Sequence, residues 1–214
     1  GVVGTTAYDQ IVEAVEEVLA GHVPYRAFYS IDKTPKRTAP RVVTTGGYYA
    51  FLKIAEGCSN NCTYCAIPAI RGPYRSVPME DVLDEARWLA EHHVTELIVI
   101  AQDTTRYGAD LYGKSRLPEL LRELCHIDGI RWVRVLYCYP DSITDELLEK
   151  LPNLKLIAKL GTGLDMIDIP AVLRRGILLC NTPGANSVAV AEHTFALLLG
   201  YLRNVPQCDN AVRT

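Results

Sequence analysis

Tyr49-Ala-Phe-Leu-Lys-Ile54-Ala-Glu-Gly57-Cys58-Ser-Asn-Asn-Cys62-Thr-Tyr-Cys65 is the stretch on which the reading of this chain turns. An apolar and aromatic run over residues 49–54, closed by a glycine, predicts a strand. Three thiols then fall on the loop at that strand's C-terminal edge, where α/β folds place their chemistry. Working outward, apolar residues at helical spacing predict helices over 79–91, 117–125 and 143–150, with strands over 96–101 and 133–137 between them. The alternation continues as strand 154–160, helix 169–175, strand 177–181 and a long helix over 188–203. The expected fold class is therefore α/β, built of parallel βα repeats with right-handed crossovers. Upstream, residues 8–20 predict one amphipathic helix ending at Gly21. Residues 21–47, with Lys33, Pro35, Lys36, Arg37 and Pro40, have no apolar period and read as a linker.

Cys58, Cys62 and Cys65 occupy eight residues, whereas Cys125, Cys138, Cys180 and Cys208 are scattered singly. An odd total of seven and a chain too long to need disulfide staples point to reduced thiols. Three soft thiolates this close can wrap one face of an iron-sulfur cube and leave one iron open to a substrate or cofactor. A closed zinc site needs four ligands, and no Cys or His occurs in the 20 positions after Cys65.

With 22 basic and 25 acidic side chains the net charge is -3, which excludes a generally basic nucleic-acid coat and offers no membrane-surface signature. Hydrophobic residues at 49% and charged residues at 22% set aside disorder, collagen and coiled coil. The longest apolar run, over 195–202, is short of the roughly 20 residues that span a bilayer, and no basic-led signal peptide opens the chain. A cytoplasmic protein without a membrane partner is expected.

Cys58-xxx-Cys62-xx-Cys65, with an aromatic residue before the third Cys, resembles the signature of radical S-adenosylmethionine (SAM) enzymes. The likeness sharpens in Phe51-Leu-Lys-Ile-Ala-Glu-Gly-Cys58, Cys65-Ala-Ile-Pro, Ile70-Arg-Gly-Pro-Tyr-Arg-Ser76, Ala101-Gln-Asp-Thr-Thr-Arg-Tyr-Gly108 and Leu136-Tyr-Cys-Tyr-Pro140. Over residues 1–150 the chain resembles methylthiotransferases of the RimO type. The resemblance implies the tail of that family's N-terminal domain at 1–36, a linker at 37–47 and a partial TIM-like radical-SAM barrel at 48–150. It implies a 4Fe-4S cluster on Cys58, Cys62 and Cys65 that donates an electron to SAM. SAM is then cleaved to methionine and a 5'-deoxyadenosyl radical, permitting methylthio insertion at an unactivated C–H of an aspartate in a ribosomal protein. Tyr64 would pack near the adenine, and Gln102 and Asp103, at the end of the next strand, would lie near SAM. The implied partners are the ribosomal protein and a flavodoxin- or ferredoxin-like electron donor, with no direct nucleic-acid-binding module. No further catalytic residue is assigned.

Other readings stand beside these. Gln102 and Asp103 also suit a capping turn after a strand. Arg71 and Arg75 suit either a contact with the SAM carboxylate or a substrate backbone, or a solvated loop. His92 and His93 read as surface residues at a helix end, and Cys125 and Cys138 as small core side chains. No Cys precedes Cys58 for the second cluster of the resembled family, and nothing after residue 150 resembles its C-terminal RNA-binding-like module.

Instead, Leu151-Pro-Asn-Leu-Lys-Leu-Ile-Ala-Lys-Leu-Gly-Thr-Gly-Leu-Asp165 and Asn181-Thr-Pro-Gly-Ala-Asn-Ser-Val-Ala-Val-Ala-Glu-His193 resemble D-isomer-specific 2-hydroxyacid dehydrogenases of the phosphoglycerate type. That resemblance implies a partial doubly wound, flavodoxin/Rossmann-like segment at 151–214, with Gly161, Thr162 and Gly163 beside a substrate carboxylate. An ordinary tight turn is the plain alternative. No GxGxxG occurs, so NAD belongs only to this alternative and is not expected to bind this chain alone. Of 17 aromatic residues only Phe195 and Tyr201 lie after residue 150, which marks a seam there. A chimera of two incomplete domains is expected, one that transfers no hydride and shows marginal stability or exposed apolar edges.

Overall fold

The computed structural model describes residues 1–32, 41–139 and 143–213. Of the expected linker, Lys33, Pro35, Lys36, Arg37 and Pro40 lie outside the described residues, as does Pro140 of the last quoted motif. The chain divides into two units, Gly1–Ser142 and Ile143–Thr214.

The first unit opens with β1 (Val2–Val3), a 3-10 turn (Tyr8–Gln10) running into α1 (Ile11–Leu19), and β2 (Arg26–Ala27). β1 and β2 pair in parallel, which corrects the reading of 21–47 as linker throughout. Two-residue strands bury too little to leave an apolar period in sequence. Residues 41–47 carry no helix or strand. There follow β3 (Tyr49–Lys53), β4 (Ala55–Glu56), α2 (Ile67–Arg71), β5 (Arg75–Ser76), α3 (Met79–Glu91), β6 (Glu96–Ile100), α4 (Ala109–Tyr112), α5 (Leu117–Cys125) and β7 (Trp132–Val135). β3, β6 and β7 form a parallel sheet in that order, with Leu52 facing Val99 in register and Val99 facing Val135. Ala50, Leu52, Leu97 and Val99 alternate inward, as a period of two requires. They meet a core containing Val82, Ala86 and Leu89 of α3 and Leu120 and Leu124 of α5, all fully buried. β4 and β5, antiparallel, and the four-residue α4 were not legible beforehand.

The second unit comprises α6 (Asp145–Glu149), β8 (Leu156–Lys159), α7 (Ile169–Arg174), β9 (Leu178–Asn181), α8 (Ser187–Leu202) and α9 (Val205–Arg213). Thr144 caps α6 and Asp168 caps α7, each side-chain oxygen accepting a backbone N–H three residues on. β8 and β9 pair in parallel over a small core of Leu148, Ile157, Ile167, Ala171, Val172 and Ile177. The fold is mixed α/β with parallel sheets, three-stranded in the first unit and two-stranded in the second. The parallel sheet expected to run on past residue 150 is thus two sheets, and no barrel closes among the described strands.

α8 buries none of its residues, although Val188, Phe195, Leu197, Leu198, Tyr201 and Leu202 leave it apolar on every side. A helix of that composition normally lies inside a larger body. The native chain should therefore bind a hydrophobic dye. Leu197→Lys with Tyr201→Lys should cut the fluorescence while leaving Tm within a few degrees, because exposed positions tolerate substitution within roughly 0.5 kcal/mol each. Dye binding that survives the pair would place the exposed apolar surface elsewhere.

Candidate functional site

The sheet of the first unit delivers three loops to one edge. β3 ends at Lys53, and β4 and β5 then close an excursion, residues 57–74, that carries the cysteines and α2. At its neck Gly57 takes φ +74, where an added Cβ would lie 2.1 Å from the Pro73 carbonyl oxygen. The next N–H, of Cys58, donates to the Gly72 carbonyl at 3.1 Å. Ser59 Oγ accepts the Tyr74 N–H at 3.1 Å, and the Cys65 N–H donates to the Cys62 carbonyl at 3.0 Å. The excursion is thus a closed hydrogen-bonded loop.

Electrostatics brace the same neck. Glu56 is buried, and its carboxylate is paired with Lys53 and with Arg71 at 3.4 Å. Arg75 donates to the carbonyls of Pro73 at 2.7 Å and Arg71 at 3.0 Å. Both arginines help to hold the loop together.

From the end of β6, Asp103 reaches the cysteine loop. Its side chain is 2% exposed; Oδ1 accepts the Thr105 N–H and hydroxyl, and Oδ2 accepts Asn60 Nδ2 at 3.1 Å. Arg106 donates to Asn60 Oδ1 at 3.2 Å. Asp103 therefore closes a local turn on Thr105, without capping a helix, and also grips the cysteine loop. From the end of β7, the Tyr137 carbonyl accepts the Thr104 N–H, and Cys138 Sγ lies 3.2 Å from Thr104 Oγ1. Burial pushes the Cys138 thiol up, with the Thr104 hydrogen bond opposing. Burial also raises the Tyr139 phenol; a hydrogen bond to Asn60 opposes this, and the neighbouring Cys62, Asp103 and Cys58 add to it. Asn60, Arg106, Thr104 and Tyr139 escaped the sequence reading, since their partners lie tens of residues away, 46 between Arg106 and Asn60 and further still between Tyr139 and Asn60.

The expected ligands share this loop: Cys58 is buried, and Cys62 and Cys65 are partly exposed. Among the described residues no three His, Cys, Asp or Glu side chains converge into a ligand group, so the thiols share a loop without being gathered. Their chemistry nonetheless fits an iron-sulfur cluster: three soft thiol donors, with no Cys or His in the 20 positions after Cys65 to complete a local zinc site. Gln102 adds a second sign of fit, its Oε1 being buried without a hydrogen-bond partner among the described residues. Tyr64 is 91% exposed. Cys125, expected in the core, is exposed at the last position of α5. His92 caps α3, its Nδ1 2.7 Å from the Trp88 carbonyl and its ring stacked on Trp88.

In the second unit, Gly161 takes φ +126 and its N–H donates to Thr182 Oγ1 at 2.8 Å. The Thr162 carbonyl accepts Asn181 Nδ2 at 2.7 Å, and its hydroxyl accepts the Gly184 N–H. The Gly161-Thr162-Gly163 turn is thus tied to the end of β9, with one of its N–H groups already occupied.

Two kinds of protein resemble this chain. Residues 94–204 match the family model of the D-isomer specific 2-hydroxyacid dehydrogenase catalytic domain. That match begins upstream of Leu151 and takes in β6 and α5. The chain is 58% identical over 150 residues to the ribosomal protein uS12 methylthiotransferase RimO of Lachnoclostridium phytofermentans, covering 70% of this chain and 34% of that protein. With the protein of the same name from Caldanaerobacter subterraneus subsp. tengcongensis it shares 50% over 169 residues, or 79% and 37% of the two chains. With that of Alkaliphilus oremlandii it shares 66% over 109 residues, or 51% and 25%. The chain spans about a third of the length of the curated relatives it matches. The two kinds of match together exceed the chain, so they overlap, as an α/β repeat common to both permits.

Proposed function

Since the chain belongs, over residues 94–204, to the D-isomer specific 2-hydroxyacid dehydrogenase catalytic-domain family and is similar over 150 residues and more to RimO-type methylthiotransferases, we propose that its first unit is the cofactor-binding part of a radical-SAM methylthiotransferase. The observation that carries this is the joining of the cysteine loop to the C-terminal end of β6 through Asn60 and Asp103. In this reading Cys58, Cys62 and Cys65 hold a 4Fe-4S cluster that leaves one iron open. Bound with SAM, the cluster supplies one-electron cleavage of the sulfonium. Gln102 offers its buried carboxamide oxygen to a donor on SAM, and Tyr64 offers an exposed ring for the adenine to stack on. Asp103 orients the loop. The substrate is an aspartate of ribosomal protein uS12, for which the relatives are named, and the electron donor is flavodoxin- or ferredoxin-like. The setting is cytoplasmic; no helix among the described residues is long and apolar enough to cross a membrane. The sheet belongs to a partial TIM-like barrel over 48–150, following a domain tail at 1–36 and a linker at 37–47, and a partial dehydrogenase segment occupies 151–214.

Anaerobic reconstitution followed by SAM and a reductant tests this: methionine and 5'-deoxyadenosine should form. Gln102→Leu should weaken SAM binding roughly tenfold, the worth of about one hydrogen bond to a desolvated group. A chain that takes up zinc but no iron-sulfur cluster overturns the reading. The family-model match supports a second reading, a 2-hydroxyacid dehydrogenase fragment whose Gly161–Gly163 turn meets a carboxylate. It predicts no NADH consumption by this chain alone, and measured NADH-dependent reduction would reveal a nucleotide site outside the GxGxxG pattern.

A further inference from the structure

We infer that Asn60 is a positioning residue: by clamping the cysteine loop between Asp103 and Arg106 it aims its own backbone N–H at Cys58 Sγ and so sets the redox balance of a cluster held there. This rests on the cluster reading above. Both ends of the Asn60 carboxamide are used, Nδ2 donating to Asp103 Oδ2 and Oδ1 accepting from Arg106 Nη1. An amide engaged at both ends has one orientation, because flipping it would set donor against donor and acceptor against acceptor. The anchor is itself held: Asp103 is buried, and its other oxygen takes the N–H and hydroxyl of Thr105. With the side chain held, the Asn60 N–H stands 3.5 Å from Cys58 Sγ, and Cys58 is the buried member of the three thiols.

An N–H directed at a ligand sulfur stabilises the more negative, reduced state of a cluster, and such hydrogen bonds are one of the levers that set its potential. Asparagine is the side chain this geometry requires. Alanine frees the loop, and aspartate opposes a second carboxylate to Asp103.

The test uses the reconstituted full chain in a redox titration followed by electron paramagnetic resonance. Asn60→Ala should keep its iron and lower the ratio of reduced to oxidised cluster at the wild-type midpoint severalfold, up to roughly tenfold, which for a one-electron couple is 59 mV. The double exchange Asn60→Asp with Asp103→Asn keeps one amide, one carboxylate and the Arg106 contact, and should return the ratio to within about twofold, a recovery that loss of packing would not give. An unchanged midpoint in Asn60→Ala overturns the inference. Should Asn60→Ala take up no iron, recovery by the double exchange supports the clamp and its failure overturns it. In the cluster-free chain, backbone amide exchange at position 60 should be faster in Asn60→Ala than in wild type, and equal rates overturn the clamp. Wild-type chain that loads no iron yet shows slow exchange at Asn60 sinks the cluster reading, and the redox role with it, rather than the clamp.

Discussion

Alanine in place of any one of Cys58, Cys62 and Cys65 is expected to take reconstituted iron from about four per chain to below one. The size of the effect follows from the ligand count. A cube held by three thiolates loses a third of its protein bonds with each substitution. Among the described residues no three His, Cys, Asp or Glu side chains outside the loop converge to accept the metal instead. Cys125, Cys180 and Cys208 are exposed and remote in sequence from the loop, so their alanine variants are the controls and should load like wild type. Iron retained by the triple alanine variant would end the cofactor assignment, and equal loss in the three control variants would show that cysteine count rather than the loop governs uptake.

What the sequence disclosed divides by the range of the interaction. α3 and α5 occupy the residues their apolar period indicates, because Val82, Leu83, Ala86 and Leu89 on one and Leu117, Leu120, Leu121 and Leu124 on the other are buried at helical spacing. β3 and β6 were legible from short apolar runs. β4 and β5 were not: the pairing of Ala55 with Ser76 and Glu56 with Arg75 joins residues about 20 apart, with no local pattern to announce it. α4 lies between Gly108 and Gly113 and is too short for a period to show. For α8 the composition was read correctly as helical, yet the burial that an all-round apolar helix implies is not met, since nothing among the described residues covers it.

The site divides in the same way. Three cysteines in eight residues are visible in one line of sequence, whereas Asn60 gains its meaning only when a loop after β3 meets a turn after β6. Asp103 was placed near the cofactor by resemblance, and the structure gives it a more local task, since both its oxygens already accept hydrogen bonds from protein groups. Gln102, its neighbour, keeps an oxygen without one. Adjacent residues thus differ in hydrogen-bond satisfaction, a distinction that sequence alone does not supply.

The strongest stability effect is expected at Gly57, where Gly57→Ala should cost about 3 kcal/mol or more and lower Tm by roughly 10 °C. Two costs combine. A side chain at φ +74 sits in the left-handed region, a penalty of about 1–2 kcal/mol. The added Cβ would also lie 2.1 Å from the Pro73 carbonyl oxygen and 2.6 Å from that of Gly72, both backbone atoms that no rotamer change can move aside. Relief requires the strands of the neck to part, which breaks the bond from the Cys58 N–H to the Gly72 carbonyl and pulls Glu56 from Lys53 and Arg71. Uncovering that buried carboxylate's partners adds to the cost. Gly113→Ala separates the two contributions: its φ is +73 and no atom lies within 4 Å of the added Cβ, so it carries the conformational penalty alone. Thermal melts of the two variants should differ by the clash, and Gly57→Ala should also lose iron uptake, because Cys58 is displaced with its neighbour, while Gly113→Ala keeps it. Equal melting temperatures would mean that the neck yields without strain and that the cysteine loop is not held where the hydrogen bonds place it.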